Sequence, residues 1–249
     1  MVSKHVISKS LSDAIVKCSR NKIKGGGGIH VFINGKVRNG LDAFREETCG
    51  DRVRKTEKVV LLNNDGEQVY SNSDKLDNQC SIDIKKVKKF YDKYGELHIT
   101  HNHPNGKNSL LPVCLSKNDT EIITDYMFGE VDSEGNVPFY YYYKSITAES
   151  PNGSRMTLIR KDESFRDDFS KTFYKACDML DDAYKDYTHK YISKSNYLQR
   201  DWGAYEFKDK GLREQVHNIV TKEIGFFEDY LVDVRKEFNK TGMDLVLEW

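Results

Sequence analysis

The sequence has few of the features that mark fibrous, secreted or membrane-spanning chains. Proline occurs only 4 times in 249 residues, which argues against long stiff linkers. No stretch approaches 18 consecutive apolar residues, so no membrane span is expected. The five cysteines are widely scattered without a CxxC pair, which predicts reduced thiols rather than a disulfide framework. Because the N-terminus also lacks an apolar signal region, a cytoplasmic location is favoured, or the cytoplasm of a host if the protein is viral.

The chain has no excess of either charge. Lys and Arg total 39 and so do Asp and Glu, which excludes a globally basic protein that binds nucleic acid by bulk electrostatics. Four lysines between residues 85 and 89 are better explained as the solvated face of a helix than as a phosphate-binding patch. Aromatic residues make up 12% of the chain, enough apolar surface to favour a folded protein despite a mean hydropathy of −0.70.

Strand and helix patterns alternate through the first 160 residues. Asn34-Gly35, Asp65-Gly66 and Asn152-Gly153 predict three β-hairpins, because these dipeptides favour the tight turns that join antiparallel strands. Residues 84–94 have the apolar spacing of an amphipathic helix that Gly95 ends. These patterns predict an α/β or α+β domain built around one sheet. Towards the N-terminus, residues 10–18 have helical spacing, and the glycines at 25–28 predict a flexible loop.

The last third of the chain has a different pattern. Apolar and aromatic residues recur every three or four positions from Phe165 to Tyr184 and again from Val216 to Phe238, which predicts two helices. We therefore divide the chain into an N-terminal extension (1–50), an α/β domain (51–162) and a C-terminal helical region (163–249). The helical region is expected to pack on the α/β domain or to bind a protein partner.

A cluster of histidines ends one predicted strand. In the segment ELHITHNH, residues Leu97, Ile99, His101 and His103 share one face, because side chains alternate along a strand. Two imidazoles on one face can bind a single Zn²⁺, whereas His98 points to the other face. Taken alone, the HxH pair is equally compatible with a metal site and with two exposed polar side chains at the end of a strand.

A carboxylate follows at helical spacing. Ser116 and Asp119 lie three residues apart on a predicted first helical turn, so both project from the same side and Asp119 can complete a ligand set with His101 and His103. S-x-x-D is also a common helix-capping pattern, and both interpretations can hold together. A hydrolytic zinc site also needs a base for the activated water. Glu57, at the start of the strand EKVVLL, is our candidate over Glu46, Glu47 and Glu67, although the residues alone leave this choice open.

Taken together, Glu57, the segment HNHP at 101–104 and the Ser116-x-x-Asp119 pair resemble the JAMM motif of the JAB/MPN metalloprotease superfamily. The segment HNHPNG is especially similar to that of the prokaryotic RadC branch and of JAB-domain proteins from phages and mobile elements. The resemblance covers roughly residues 57–148. It implies a cytidine-deaminase-like α/β fold, a mixed sheet with flanking helices, to which the helical region is added.

The resemblance also implies roles for the residues that match the motif. His101, His103 and Asp119 would bind one zinc ion per chain, Glu57 would act as general base, and Ser116 would stabilise the oxyanion. One departure concerns the loop at 104–115, whose twelve residues exceed the usual seven between the second His and the Ser. Ser109 lies nearer the usual spacing, but Pro112 follows it where the ligand Asp would stand.

The function implied is that of a zinc-dependent metallo(iso)peptidase acting on a protein or peptide, for example a ubiquitin-like tail. The alternative is an assembly or interaction module of phages or mobile elements that keeps the fold without turnover. A nucleic-acid function by analogy with the RadC branch is disfavoured by the zero net charge.

Overall fold

The computed structural model describes residues 33–49, 56–73, 82, 84–103, 111–124, 142–161, 169–201, 204–209 and 215–248. The predicted helix at 10–18 and the glycine loop at 25–28 lie outside these residues. The strands are β1 (Val59–Leu62), β2 (Gln68–Asn72), β3 (Leu97–Asn102), β4 (Tyr143–Glu149), β5 (Arg155–Arg160), β6 (Leu198–Asp201), β7 (Ala204–Phe207) and β8 (Met243–Glu248). The helices are α1 (Gly35–Cys49), α2 (Ile84–Tyr94), α3 (Lys117–Thr124), α4 (Phe169–Asp186) and α5 (Val216–Lys240).

Six of the strands form one sheet in the order β2-β1-β3-β4-β5-β8. The central pair β3 and β4 is parallel and every other pair in this sheet is antiparallel. The predicted α/β class with a mixed sheet and helices is therefore confirmed. The strands β6 and β7 form a separate two-stranded hairpin.

The two faces of the sheet pack against different helices. On one face, Leu97 and Ile99 of β3 belong to the main core, which also contains Phe173 of α4 and Phe238 of α5. On the other face, three apolar residues of α1 pack on Val60 and Leu62 of β1. Side chains on a strand alternate between the two faces of the sheet. Odd-numbered residues of β3 therefore face the main core, and even-numbered residues face the side that α1 covers.

Two of the three predicted hairpins are confirmed. Asp65 and Gly66 lie in the turn between β1 and β2, and Asn152 and Gly153 lie in the turn between β4 and β5. Gly66 and Gly153 have φ angles of 78° and 89°, which residues with a Cβ rarely adopt. Gly95 likewise follows α2 with a φ of 76°, as expected of a residue that ends a helix.

The predicted hairpin at Asn34-Gly35 is wrong, since Gly35 begins helix α1. The Asn34 side chain caps this helix: its Oδ1 accepts a hydrogen bond from the Val37 N–H at 2.9 Å. Asn favours both tight turns and helix N-caps, so the dipeptide was compatible with either structure. Residues 29–32, the first half of the predicted hairpin, lie outside the described part of the chain.

The C-terminal region contains the two predicted helices, α4 and α5, and adds strands that the sequence did not reveal. The segment between the helices forms a short π-helix at Tyr187–Tyr191, a short 3₁₀-helix and the β6–β7 hairpin. Strand β8 then pairs with β5 at the edge of the main sheet. The predicted domain boundaries at 50/51 and 162/163 stay predictions. Helix α1, before the first boundary, packs on β1, and strand β8, after the second, pairs with β5.

Across the described ranges, none of the helices combines the length and apolar character that crossing a bilayer requires.

Candidate metal centre

His101 lies near the end of β3 and His103 directly follows the strand. His101 pairs with Val59 on β1 and with Ala148 on β4, and only 3% of it is exposed. The side chain of His103 is 34% exposed, at the rim of the same site. The rings lie on one face with a centroid distance of 5.0 Å. Strand alternation therefore brings the two imidazoles together as the sequence predicted.

Asp119 reaches the histidines from the first turn of α3. The Ser116 hydroxyl accepts a hydrogen bond from the Asp119 N–H at 3.2 Å, and an Asp119 carboxylate oxygen accepts one from the Ser116 N–H at 2.6 Å. These reciprocal bonds satisfy two N–H groups at the helix start that have no partner within the helix. The capping pattern thus also holds the carboxylate of Asp119 over the end of β3.

The donor atoms of three side chains converge at this point. The Nε2 atoms of His101 and His103 are 3.1 Å apart, and Asp119 Oδ1 lies 3.1 Å from the Nε2 atom of His101. Asp119 Oδ2 lies 3.6 Å from the Nε2 atom of His103. In a tetrahedral zinc site with bonds of 2.0–2.1 Å, neighbouring ligand atoms are about 3.3 Å apart. The group has the spacing and the donor chemistry to hold a metal ion.

The electrostatics of the three side chains are coupled. Burial alone would raise the pKa of Asp119, but attraction by His101 and His103 holds it well below its usual range. Burial alone would lower the pKa of His101, but the Asp119 charge and hydrogen bond, and then Glu57, raise it. Asp119 is therefore ionised at neutral pH. One carboxylate with two imidazoles is a ligand set that suits several divalent metals, zinc among them.

Glu57 lies two residues before β1 and is half-buried. The negative charge of Glu57 helps to raise the pKa of His101, so the Glu57 carboxylate lies close enough to act electrostatically on the candidate site. The other acids considered lie elsewhere. Glu46 and Glu47 are exposed on α1, where Glu47 pairs with Lys58 at 2.5 Å. Glu67 accepts a hydrogen bond from Asn63 beside the β1–β2 turn. Among the four acids considered, Glu57 has a charge that raises the pKa of His101, as does the buried Glu149 of β4.

Ser116 is exposed beside the ligand group, with its oxygen accepting the capping hydrogen bond from Asp119. A hydroxyl that accepts a hydrogen bond keeps its proton for donation to another group. The alternative residue, Ser109, and most of the long loop lie outside the described residues, which resume at Leu111.

His98 lies on the opposite face of the sheet from His101, as the alternation of side chains along the strand predicted. Its ring nitrogens are within hydrogen-bond distance of Ser145 Oγ, at 2.8 Å, and of Asn64 Oδ1, at 3.2 Å. Burial lowers the pKa of His98 to about 4, and the positive charge of Lys144 contributes to the shift. Its contacts are those of a neutral structural histidine.

Asn102, the residue between the two histidines, was not predicted as a functional residue. It is 1% exposed, and its side chain makes hydrogen bonds to the main chain on both sides of Glu57. A signal was available, because a buried Asn in a strand must find partners for both its amide donor and its carbonyl acceptor.

Comparison of the chain with family models, with curated proteins and with solved structures finds no match.

Proposed function

We propose that the protein is a zinc-dependent metallo(iso)peptidase with a JAB/MPN fold. The observation that carries the proposal is the convergence of His101, His103 and Asp119, with donor atoms 3.1–3.6 Å apart. Three protein ligands leave a fourth tetrahedral position for water or substrate, as in catalytic zinc sites. Structural zinc sites generally use four protein ligands.

The order of elements supports the same proposal. Glu57 precedes β1, a hairpin and helix α2 follow, β3 ends in the two histidines, and α3 begins at the Ser116-x-x-Asp119 pair. This is the order that the JAMM resemblance implies for a cytidine-deaminase-like sheet. Because β3 pairs with β1 on one side and with β4 on the other, the two candidate histidines lie at the end of an interior strand and not at the edge of the sheet.

In the proposed reaction, His101, His103 and Asp119 hold the zinc ion. Bound zinc would supply a Lewis acid that polarises the scissile carbonyl and lowers the pKa of water. Glu57 accepts the proton of the attacking water and delivers it to the leaving amine. The Ser116 O–H donates to the carbonyl oxygen as negative charge develops on it.

The proposed substrate is a protein or peptide, and an extended tail of a ubiquitin-like protein is a suitable form. Such a tail presents its scissile amide without local structure, which lets it approach ligands at a strand end. Exposure of the His103 side chain at the rim is consistent with access from solvent.

The test is hydrolysis by zinc-loaded protein of fluorogenic peptides, of ubiquitin-like proteins with amide-linked C-terminal reporters and of isopeptide-linked dimers. We expect cleavage by the wild type, loss of cleavage in Glu57→Gln and retained cleavage in Glu47→Gln. Glu47 is the matched control because it is a nearby glutamate on α1 that forms an ion pair with Lys58. Equal cleavage by Glu57→Gln would contradict the assigned base. Zinc binding without cleavage of any substrate would favour the interaction module.

A further inference from the structure

The side chain of Asn102 links the two parts of the candidate site. Its Oδ1 accepts a hydrogen bond from the Lys58 N–H at 2.8 Å, and its Nδ2 donates to the Thr56 C=O at 3.3 Å. These two groups belong to the residues immediately before and after Glu57. We call the two bonds the Asn102 bridge.

The bridge occurs where β3 separates from β1. The Asn102 N–H still donates to the Lys58 C=O at 3.3 Å, but the Lys58 N–H bonds the Asn102 side chain. In an ordinary antiparallel pair, the Lys58 N–H would bond the main-chain carbonyl opposite it. The next residue, His103, donates its N–H to the Glu149 C=O on β4 at 2.8 Å. The Asn102 side chain thus keeps the Glu57 segment attached to β3 where the main-chain pairing with β1 ends, while His103 stays bonded to β4.

We propose that Asn102 is a positioning residue that sets Glu57 relative to His101 and His103. The inference rests on the proposed function, because Glu57 needs a fixed position only if it acts on a group held by the histidines. Asn102 lies between these histidines in the chain, so the bridge connects Glu57 to them through few covalent bonds. A base misplaced by about 1 Å can lose on the order of a hundredfold in rate, which gives such a connection a chemical purpose.

The chemistry of the bridge calls for Asn in particular. The bridge needs one acceptor for the Lys58 N–H and one donor for the Thr56 C=O, and the amide side chain supplies both. Aspartate retains the acceptor but sets a second oxygen against the Thr56 carbonyl. Alanine removes both. The two substitutions therefore separate the two bonds.

The first arm of the test measures amide hydrogen exchange at Lys58 by NMR in the wild type, Asn102→Ala and Asn102→Asp. We expect exchange to accelerate roughly tenfold in Asn102→Ala, the loss of about one hydrogen bond, and to stay slow in Asn102→Asp. The control is Asn63→Ala. Asn63 is a buried asparagine in the β1–β2 turn whose side chain also bonds main-chain N–H groups, at Asp65 and Glu67. Its loss should destabilise the turn without accelerating exchange at Lys58 relative to global unfolding.

The second arm uses Co²⁺ as a paramagnetic probe in the same proteins. Paramagnetic shifts of the Lys58 and Thr120 amide protons report where each segment lies relative to the ion. We expect Asn102→Ala to bind Co²⁺, to keep the Thr120 shift and to change the Lys58 shift, whereas Asn63→Ala keeps both. If Asn102 served only to stabilise the fold, Asn102→Ala would lower the free energy of unfolding but leave the Lys58 shift of the folded protein unchanged.

The outcomes distinguish the two proposals. If the wild type fails to bind Co²⁺, the proposed function is overturned and this inference with it. If the wild type binds Co²⁺ but Asn102→Ala matches it in Lys58 exchange and Lys58 shift, only the role of Asn102 is overturned. Should Asn102→Ala fail to fold, Asn102→Asp must still change the paramagnetic shift of the Thr56 amide proton, since it lacks the bond to the Thr56 C=O; an unchanged Thr56 shift would overturn the role of Asn102.

Discussion

Ser116 and Asp119 cap each other at the start of α3, and Asp119 also reaches His101. The Asp119 N–H donates to the Ser116 hydroxyl at 3.2 Å, while Asp119 Oδ1 lies 3.1 Å from His101 Nε2. The Asp119 carboxylate accepts a hydrogen bond from the Ser116 N–H at 2.6 Å, so it caps the start of the helix and also faces two imidazoles. The capping pair fixes the direction in which the candidate ligand oxygen points, so a local folding signal and a candidate metal ligand coincide in one side chain.

This relationship predicts the effect of Ser116→Ala. Loss of the hydroxyl should lower the free energy of unfolding by about 1 kcal/mol, the usual contribution of an N-cap side chain. Because Asp119 then loses one of its constraints, zinc affinity should also fall. Ser116→Thr keeps an oxygen for the Asp119 N–H and should restore both quantities. Urea unfolding and competitive zinc titration would measure them, and an alanine variant with unchanged zinc affinity would contradict the coupling.

A second prediction concerns His98 and acid stability. The pKa of His98 is lowered from 6.5 to about 4 by burial, so the folded protein binds fewer protons than the unfolded chain between these values. Its contribution to stability is therefore complete above pH 6.5 and is lost as the pH falls towards 4. The loss amounts to about 3 kcal/mol over this window.

The comparison that checks this prediction is wild type against His98→Gln, whose side chain stays neutral. The difference in unfolding free energy between the two proteins should change across pH 4–6.5 and stay constant above it. A constant difference throughout would show that His98 titrates normally in the fold.

A third prediction concerns the C-terminal region. Phe238 of α5 is fully buried and contacts Phe173 of α4, with ring centroids 5.6 Å apart. Phe238→Ala should cost about 3–5 kcal/mol. Because α5 leads into β8 at the edge of the main sheet, the sheet and the helices should unfold in a single transition. Phe238→Ala should move the midpoint of that whole transition.

The control for this prediction is Val232→Ala, also on α5. Val232 is 50% exposed, and its truncation should change the free energy of unfolding by no more than about 0.5 kcal/mol. Two separate unfolding transitions, of which Phe238→Ala moves only one, would instead mean that the helices form an independent unit.

The sequence predicted those parts of the fold whose signals are local. The turns at Gly66 and Gly153 need positive φ, and the ends of α2 and the faces of β3 follow from simple periodicity. The hairpin at Asn34-Gly35 was wrong because Asn serves equally well as a helix cap. Strand β8 was missed because its pairing with β5 joins residues about 90 positions apart, which no local pattern reveals.

The candidate site likewise has parts that local sequence signals predicted and parts that they did not. His101 and His103 share a face through strand alternation, and Ser116 and Asp119 through helical spacing, so each pair was predictable from local structure. That the two pairs meet, with Glu57 near them, came from the JAMM resemblance and not from residue patterns. The contribution of Asn102 depends on how β1 and β3 separate, a detail of tertiary structure that spacing does not encode.

The measurement that tests the account most directly is zinc content by native mass spectrometry, for the wild type, His103→Ala and His98→Ala. His98 is the matched control, a histidine of the same strand on the opposite face of the sheet. We expect about one zinc per chain in the wild type and in His98→Ala, and none in His103→Ala. Absence of zinc from the wild type after dialysis against the metal, or full retention of zinc in His103→Ala, would contradict the proposed metal centre.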